Sequence, residues 1–108
     1  MNKVLDKLPA LVAEELEAAN AVNPPFHSLH EGWAVLQEEV DETHVEACGL
    51  QITMADLWDH VKDDKTFLAL LDTAKIYKYA LQTAAEAIQV AAMAQKLIDY
   101  IEGGNQNA

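Results

Sequence analysis

An all-α fold is predicted by three features of the chain. Only 4 glycines and 3 prolines interrupt 108 residues. Alanine, leucine, glutamate and glutamine, all good helix formers, dominate the remainder. Apolar residues recur at three- and four-residue intervals, with no sustained alternation of the kind a half-buried strand needs. With 51% apolar residues, a disordered acidic segment is excluded, and the length fits one domain over 1–108. The expected protomer resembles a four-helix bundle with one long C-terminal helix.

Val4, Leu5, Leu8, Leu11, Val12 and Leu16 share helical spacing and define the first helix. Pro9 suits a first helical turn, so the regular part is expected to begin there after a looser turn. Asn20 to Pro25 end it, because Pro24-Pro25 impose an extended link. Ser28-Leu29-His30-Glu31 reads as a capping box that opens the second helix. Leu29, Trp33, Leu36 and Val40 form the apolar face of that helix, and Gly49 is placed to end it. Gly32 inside it costs about 1 kcal/mol relative to Ala, which a closely packed helix neighbour would offset. Thr53 with Asp56 repeats the start signal for a short helix carrying Leu57, Trp58 and Val61.

Thr66 opens the last pattern, Phe67, Leu70, Leu71, Ala74, Tyr77 and Leu81. It continues through Ala84-Ala85-Glu86-Ala87-Ile88-Gln89-Val90-Ala91-Ala92-Met93-Ala94 to Tyr100 and Ile101. Gly103-Gly104 are expected to stop it and residues 105–108 to fray. Unbroken, such a helix is on the order of 50 Å long, against a radius of gyration of about 13 Å for a compact domain of this size. It must break, or project into a partner. Three shorter helices can hardly cover a helix apolar on every side, so a second copy is expected to supply the missing wall, as a homodimer or a dimer of dimers.

Charge narrows the function. There are 18 acidic and 7 basic side chains, a net charge of −11, and Lys62 is the sole lysine between Glu14 and Asp64. Such a chain does not hold nucleic acid or an anionic membrane by its own field. No apolar run approaches the roughly 18 residues of a membrane span, and no signal peptide is evident. Cys48 is the only cysteine, which rules out an intrachain disulfide and suits a reducing, cytoplasmic setting.

Two groups of acids carry candidate chemistry. On a helical wheel Glu31, Glu38 and Asp41 lie opposite the apolar face of the second helix, whereas Glu39 falls at its edge, between Leu36 and Val35. Glu42 and Glu46 continue the Glu39 row at i+3 and i+7. Carboxylates so aligned repel one another, and either take up protons or are neutralised by a cation. On the last helix, Glu86 and Gln89 are three apart and project from one side of an otherwise apolar stretch. A carboxylate there needs a partner or a metal. Mg²⁺, which prefers oxygen ligands and tolerates water and phosphate oxygens, suits Glu39 and Glu42 facing Glu86, with the Gln89 carbonyl available. A lysine partner for Glu86, Lys75 or Lys78 from a neighbouring helix, is the competing explanation.

Glu39-Val40-Asp41-Glu42 followed by Glu86-Ala87-Ile88-Gln89 resembles the two-part signature of the MazG-like all-α nucleoside triphosphate pyrophosphohydrolases, an ExxE on one helix and an ExxD on a later one. The resemblance covers roughly residues 29–101, and the chain looks like a small, phage- or prophage-type member. It implies hydrolysis of a nucleoside triphosphate to the monophosphate and pyrophosphate, with Mg²⁺, or Mn²⁺ in its place, held by Glu39, Glu42, Glu86 and Gln89. It also implies that Glu38 or Glu39 orients the attacking water. The chain departs from the family in two ways. Gln89 stands where the family has Asp, and the stretch between the half-motifs is longer than usual. Asp56-Leu57-Trp58-Asp59 is an alternative second half. A bundle that has kept the scaffold and lost activity is the other outcome this pattern allows.

Further residues have two uses each. Lys75 and Lys78 are the candidate phosphate-facing cations, or they pair with Asp72 or the acidic row. Trp33, Tyr79 and Trp58 could stack on a base, or fill the core. His44 and Cys48, at i and i+4, form half of a zinc site with no second half in the chain; otherwise Cys48 is a small filler.

Overall fold

The structure is a computed structural model and describes residues 2–106. It holds three α-helices, α1 (Lys3–Val22), α2 (Leu29–Lys62) and α3 (Thr66–Gln106). The all-α class stands, with three helices instead of four, and the last is long. Contacts divide the chain into two units, 1–40 with 86–108, and 41–85. Both α2 and α3 contribute to each unit.

Asn2 caps α1, its Oδ1 accepting from the amides of Val4 (3.0 Å) and Leu5 (3.1 Å). That cap satisfies two of the orphan donors of the first turn. The helix therefore starts at Lys3, and Pro9 lies within it instead of opening it. Leu8, Val12, Leu16 and Ala19 are half-buried on one side of α1, while Val4, Leu5 and Leu11 are exposed. The helix ends at Asn23, whose amide bonds back to the Ala19 carbonyl.

The extended link after α1 positions Phe26, which with Ala92 is the buried hydrophobic core of the described residues. Tyr100 Oη on α3 donates to the His27 carbonyl at 3.3 Å and ties this link down. Ser28 caps α2 as expected, accepting from the Glu31 amide at 3.0 Å. The Glu31 carboxylate pairs with His27 Nδ1 at 3.2 Å, so the box is completed by a histidine rather than by the reciprocal backbone bond. Gly32 faces α3 so closely that a Cβ there would lie 2.5 Å from Leu97 Cδ1 and 3.3 Å from Phe26 Cδ2. This close approach is the compensation expected for a mid-helix glycine.

Gly49 does not end α2. The helix runs through it and through the buried Thr53 to Lys62, merging the expected second and short helices. In the 41–85 unit Gly49 lets the Tyr79 ring come close. A Cβ at Gly49 would meet Tyr79 Cε1 at 2.7 Å and Cδ1 at 2.8 Å. The same unit is pinned near its turn by a hydrogen bond between His60 Nδ1 and the carboxylate of buried Asp72.

The stop sits at Asp64, which adopts φ 52°. Its amide bonds to the Val61 carbonyl (3.1 Å) and the Lys65 amide to the His60 carbonyl (2.9 Å). This is a Schellman motif with aspartate at the left-handed position that glycine usually takes. Aspartate tolerates that region better than most residues but less well than glycine. Asp64→Gly is therefore expected to raise stability by about 0.5–1 kcal/mol, read as a shift of the urea midpoint at unchanged slope.

α3 is unbroken over 41 residues, about 60 Å at the ideal rise. It passes through Gly103 and Gly104 to Gln106, so the glycines do not stop it, and the expected fraying of 105 and 106 is replaced by helix. Residues 107 and 108 lie outside the described residues. No helix among the described residues is long and apolar enough to cross a membrane.

Candidate functional site

Three of the residues singled out in the sequence come together within the 1–40/86–108 unit. Glu39 stands on α2, and Glu86 and Gln89 on the facing stretch of α3. The two glutamates each place a carboxylate oxygen within 4.8 Å of the other. Gln89 lies between them. Oriented with Nε2 toward the acids, it donates to Glu39 Oε2 at 3.1 Å and to Glu86 Oε2 at 3.2 Å. The helical cause is direct. Glu86 and Gln89 are i and i+3 on one side of α3, and α2 runs antiparallel to it with Glu39 at its edge.

Glu39, Glu86 and Gln89 are all half-buried. The expectation of a carboxylate sunk in a helix apolar on every side is corrected here. Ala84, Ala85, Ala87 and Ala91 are exposed and only Ala92 is fully covered. Two like charges about 4–5 Å apart repel by a few kcal/mol at the dielectric of a protein surface. The Gln89 amide offers one proton to each carboxylate and eases that repulsion. Turned over, the same amide offers a carbonyl oxygen to a cation. Two carboxylates and one carbonyl are hard oxygen donors, the set that suits Mg²⁺ or Mn²⁺ rather than zinc.

Glu39 and Gln89 line a cleft of about 560 Å³ in the same unit. Glu15 of α1 and Glu31, Glu38 and Glu39 of α2 give it four carboxylates, and Lys96 of α3 gives it an ammonium. Val35, Met93 and Phe26 supply apolar wall. Glu38 and Glu39 both line it, Glu38 being the more exposed. Lys96 is 7% exposed, with Nζ 4.8 Å from the centroid of the Phe26 ring. Neither Lys96 nor Phe26 was singled out in the sequence. The available signal was the stripe Glu86, Gln89, Met93, Lys96, spaced 3, 7 and 10 residues from its start.

Glu42 is one turn past Glu39 on the same side of α2, at the start of the 41–85 unit. The remaining predicted residues fall elsewhere. Lys75, Lys78 and Tyr79 are in that unit too, the lysines exposed and the tyrosine against Gly49. Both lysines share α3 with Glu86, so neither can reach it from a neighbouring helix of the same chain. Asp72, a proposed partner for them, is engaged by His60. Trp33 is 63% exposed and is not among the cleft residues; with Leu29 and Val40 exposed as well, that face of α2 is not core in one chain. Asp56 and Asp59 sit on the same helix as Glu39 instead of opposite it, and Asp59 pairs with Lys62 at 3.2 Å, which removes them as an alternative half-site. Residues 41–85, a helical hairpin, separate Glu39 from Glu86 along the chain. His44 Nε2 and Cys48 Sγ are in contact at 3.4 Å, and among the described residues no further histidine, cysteine or acid joins them in a metal-sized group.

No family model, curated protein or solved structure matches this chain.

Proposed function

We propose that the chain is a Mg²⁺-dependent pyrophosphohydrolase that splits a nucleoside triphosphate into the monophosphate and pyrophosphate. The observation that supports it is the convergence of Glu39, Glu86 and Gln89 from two helices, with Glu39 and Gln89 on the wall of a cleft large enough for a nucleotide-sized ligand. Glu39 and Glu86 would hold the ion through carboxylate oxygens and Gln89 through its carbonyl. By the resemblance, Glu42 is a further ligand. A bound Mg²⁺ supplies neutralisation of the phosphate oxygens as charge shifts onto the leaving pyrophosphate. Glu38 or Glu39, both on the wall of the cleft, would orient a water toward phosphorus and take up its proton. Water adds its oxygen to that phosphorus and the bond to the pyrophosphate oxygen breaks. The test is pyrophosphate release over a panel of ribo- and deoxynucleoside triphosphates with Mg²⁺ or Mn²⁺. Release of pyrophosphate with the matching monophosphate supports the reading, and no turnover on any of them overturns it.

A second reading, a helical assembly protein without turnover, is favoured by one observation. In the 41–85 unit Phe67, Leu70, Tyr77 and Leu81 are each more than half exposed. Their 3-, 7- and 4-residue steps, with Ala74 between them, follow the seam of a helix that packs on another helix. Both readings share a homo-oligomer in which this seam meets a second copy. Equilibrium sedimentation is expected to give a dimer or tetramer, and Leu70→Glu with Tyr77→Glu to shift it to monomer. A monomeric native chain contradicts the self-association.

A further inference from the structure

Lys96 is a cation without a carboxylate partner among the described residues, although four carboxylates line the cleft it borders. Removing an ammonium from water is costly unless something replaces the water. The Phe26 ring does part of this, since an aromatic face attracts a cation placed over it. The stem of the lysine packs while its head stays at the cleft wall. Lys96 and Phe26 also line a smaller hollow of about 310 Å³ with Asn23, Asp99 and Tyr100. The ammonium thus stands where two hollows meet, over the face of an aromatic ring.

We propose that Lys96 is the anion-binding residue of the cleft, gripping the phosphate chain of a polyphosphate whose metal sits between Glu39 and Glu86. This rests on the pyrophosphohydrolase reading. The spacing supports it. Gln89 and Lys96 are seven residues apart on α3, about 10 Å along the axis, and helical side chains lean toward the N-terminus, which carries the ammonium toward Gln89. A metal at one end and an ammonium at the other span the dimensions of a phosphate chain. The acidic walls also make sense of the pairing. A bare polyphosphate is repelled by Glu15, Glu31 and Glu38, whereas one that arrives with Mg²⁺ is not. The competing role is a built-in counter-ion that only tempers those acids.

Calorimetric titration of the full chain with inorganic tripolyphosphate in Mg²⁺ separates the two. Lys96→Met keeps the stem and is expected to weaken binding tenfold or more, while Lys96→Arg stays within about threefold, as charge-assisted phosphate contacts predict. Tripolyphosphate bound by Lys96→Met as tightly as by the native chain overturns the proposal, and so does Lys96→Arg failing as badly as Lys96→Met in a folded protein. No tripolyphosphate binding to the native chain overturns it as well. Titration with Mg²⁺ alone reports on the wider reading. Undiminished Mg²⁺ binding beside unaltered Lys96→Met affinity removes the lysine's role and leaves the enzyme, whereas absent Mg²⁺ binding removes the enzyme itself.

Discussion

Glu86→Gln and Glu39→Gln are each expected to lower Mg²⁺-dependent pyrophosphate release by about 100-fold or more, with unchanged helical circular dichroism. Either change removes one of two negative charges that converge between α2 and α3, while the amide keeps the shape of the carboxylate. Gln89→Asp gives the opposite sign and is the sharper check. It deletes the amide that donates to Glu39 and Glu86 and sets a third charge beside them. Without metal the variant is expected to lose about 1–3 kcal/mol of stability. Mg²⁺ should then restore more stability to it than to the native chain, because a ligand that binds only the folded state stabilises it more the tighter it binds. Equal Mg²⁺ shifts for the native chain and Gln89→Asp would contradict metal ligation at this position.

Gly49→Ala is expected to destabilise the protein by about 1–2 kcal/mol, even though alanine is the better helix former by about 1 kcal/mol. The new methyl would lie within 3.0 Å of three carbons of the Tyr79 ring. A ring moves only as a whole, and overpacking of this sort costs about 1–3 kcal/mol. Gly32→Ala serves as the control. Its closest neighbour is the terminal methyl of Leu97, which can change rotamer, so the loss there should be the smaller of the two. Urea unfolding of both variants checks the order. Gly49→Ala as stable as native would mean that Tyr79 does not pack on α2 as described.

These two glycines also show where sequence reading succeeds and where it fails. A glycine inside a helical pattern has two physical meanings, a left-handed cap or a close approach, and one letter serves both. At Gly32 the apolar period continues on both sides, and the close approach was legible. At Gly49 the following Thr53 and Asp56 mimic a new start, and the continuous α2 was read as two helices. The true stop was hidden because aspartate occupies a position where glycine would have announced it. For the site, the i, i+3 spacing of Glu86 and Gln89 and the edge position of Glu39 were enough to bring all three together. Lys96 was not legible. A lysine in a helix normally marks solvent, and its burial follows from a phenylalanine in the α1–α2 link that no helical period could place. The sequence offers Lys75 and Lys78 as the phosphate-facing cations, because Lys75 lies near the stripe of α3 that holds Glu86 and Gln89. Instead, a hairpin of 45 residues, 41–85, carries both lysines.

The proposed enzyme depends on a divalent cation held by Glu39, Glu86 and Gln89. Titration of the native chain with Mn²⁺, followed by the loss of the free-ion electron paramagnetic resonance signal, measures this without reference to any substrate. Saturable uptake that Mg²⁺ displaces and that Glu86→Gln abolishes is the predicted result. Uptake that is absent, or that persists undiminished in a folded Glu86→Gln protein, would contradict it.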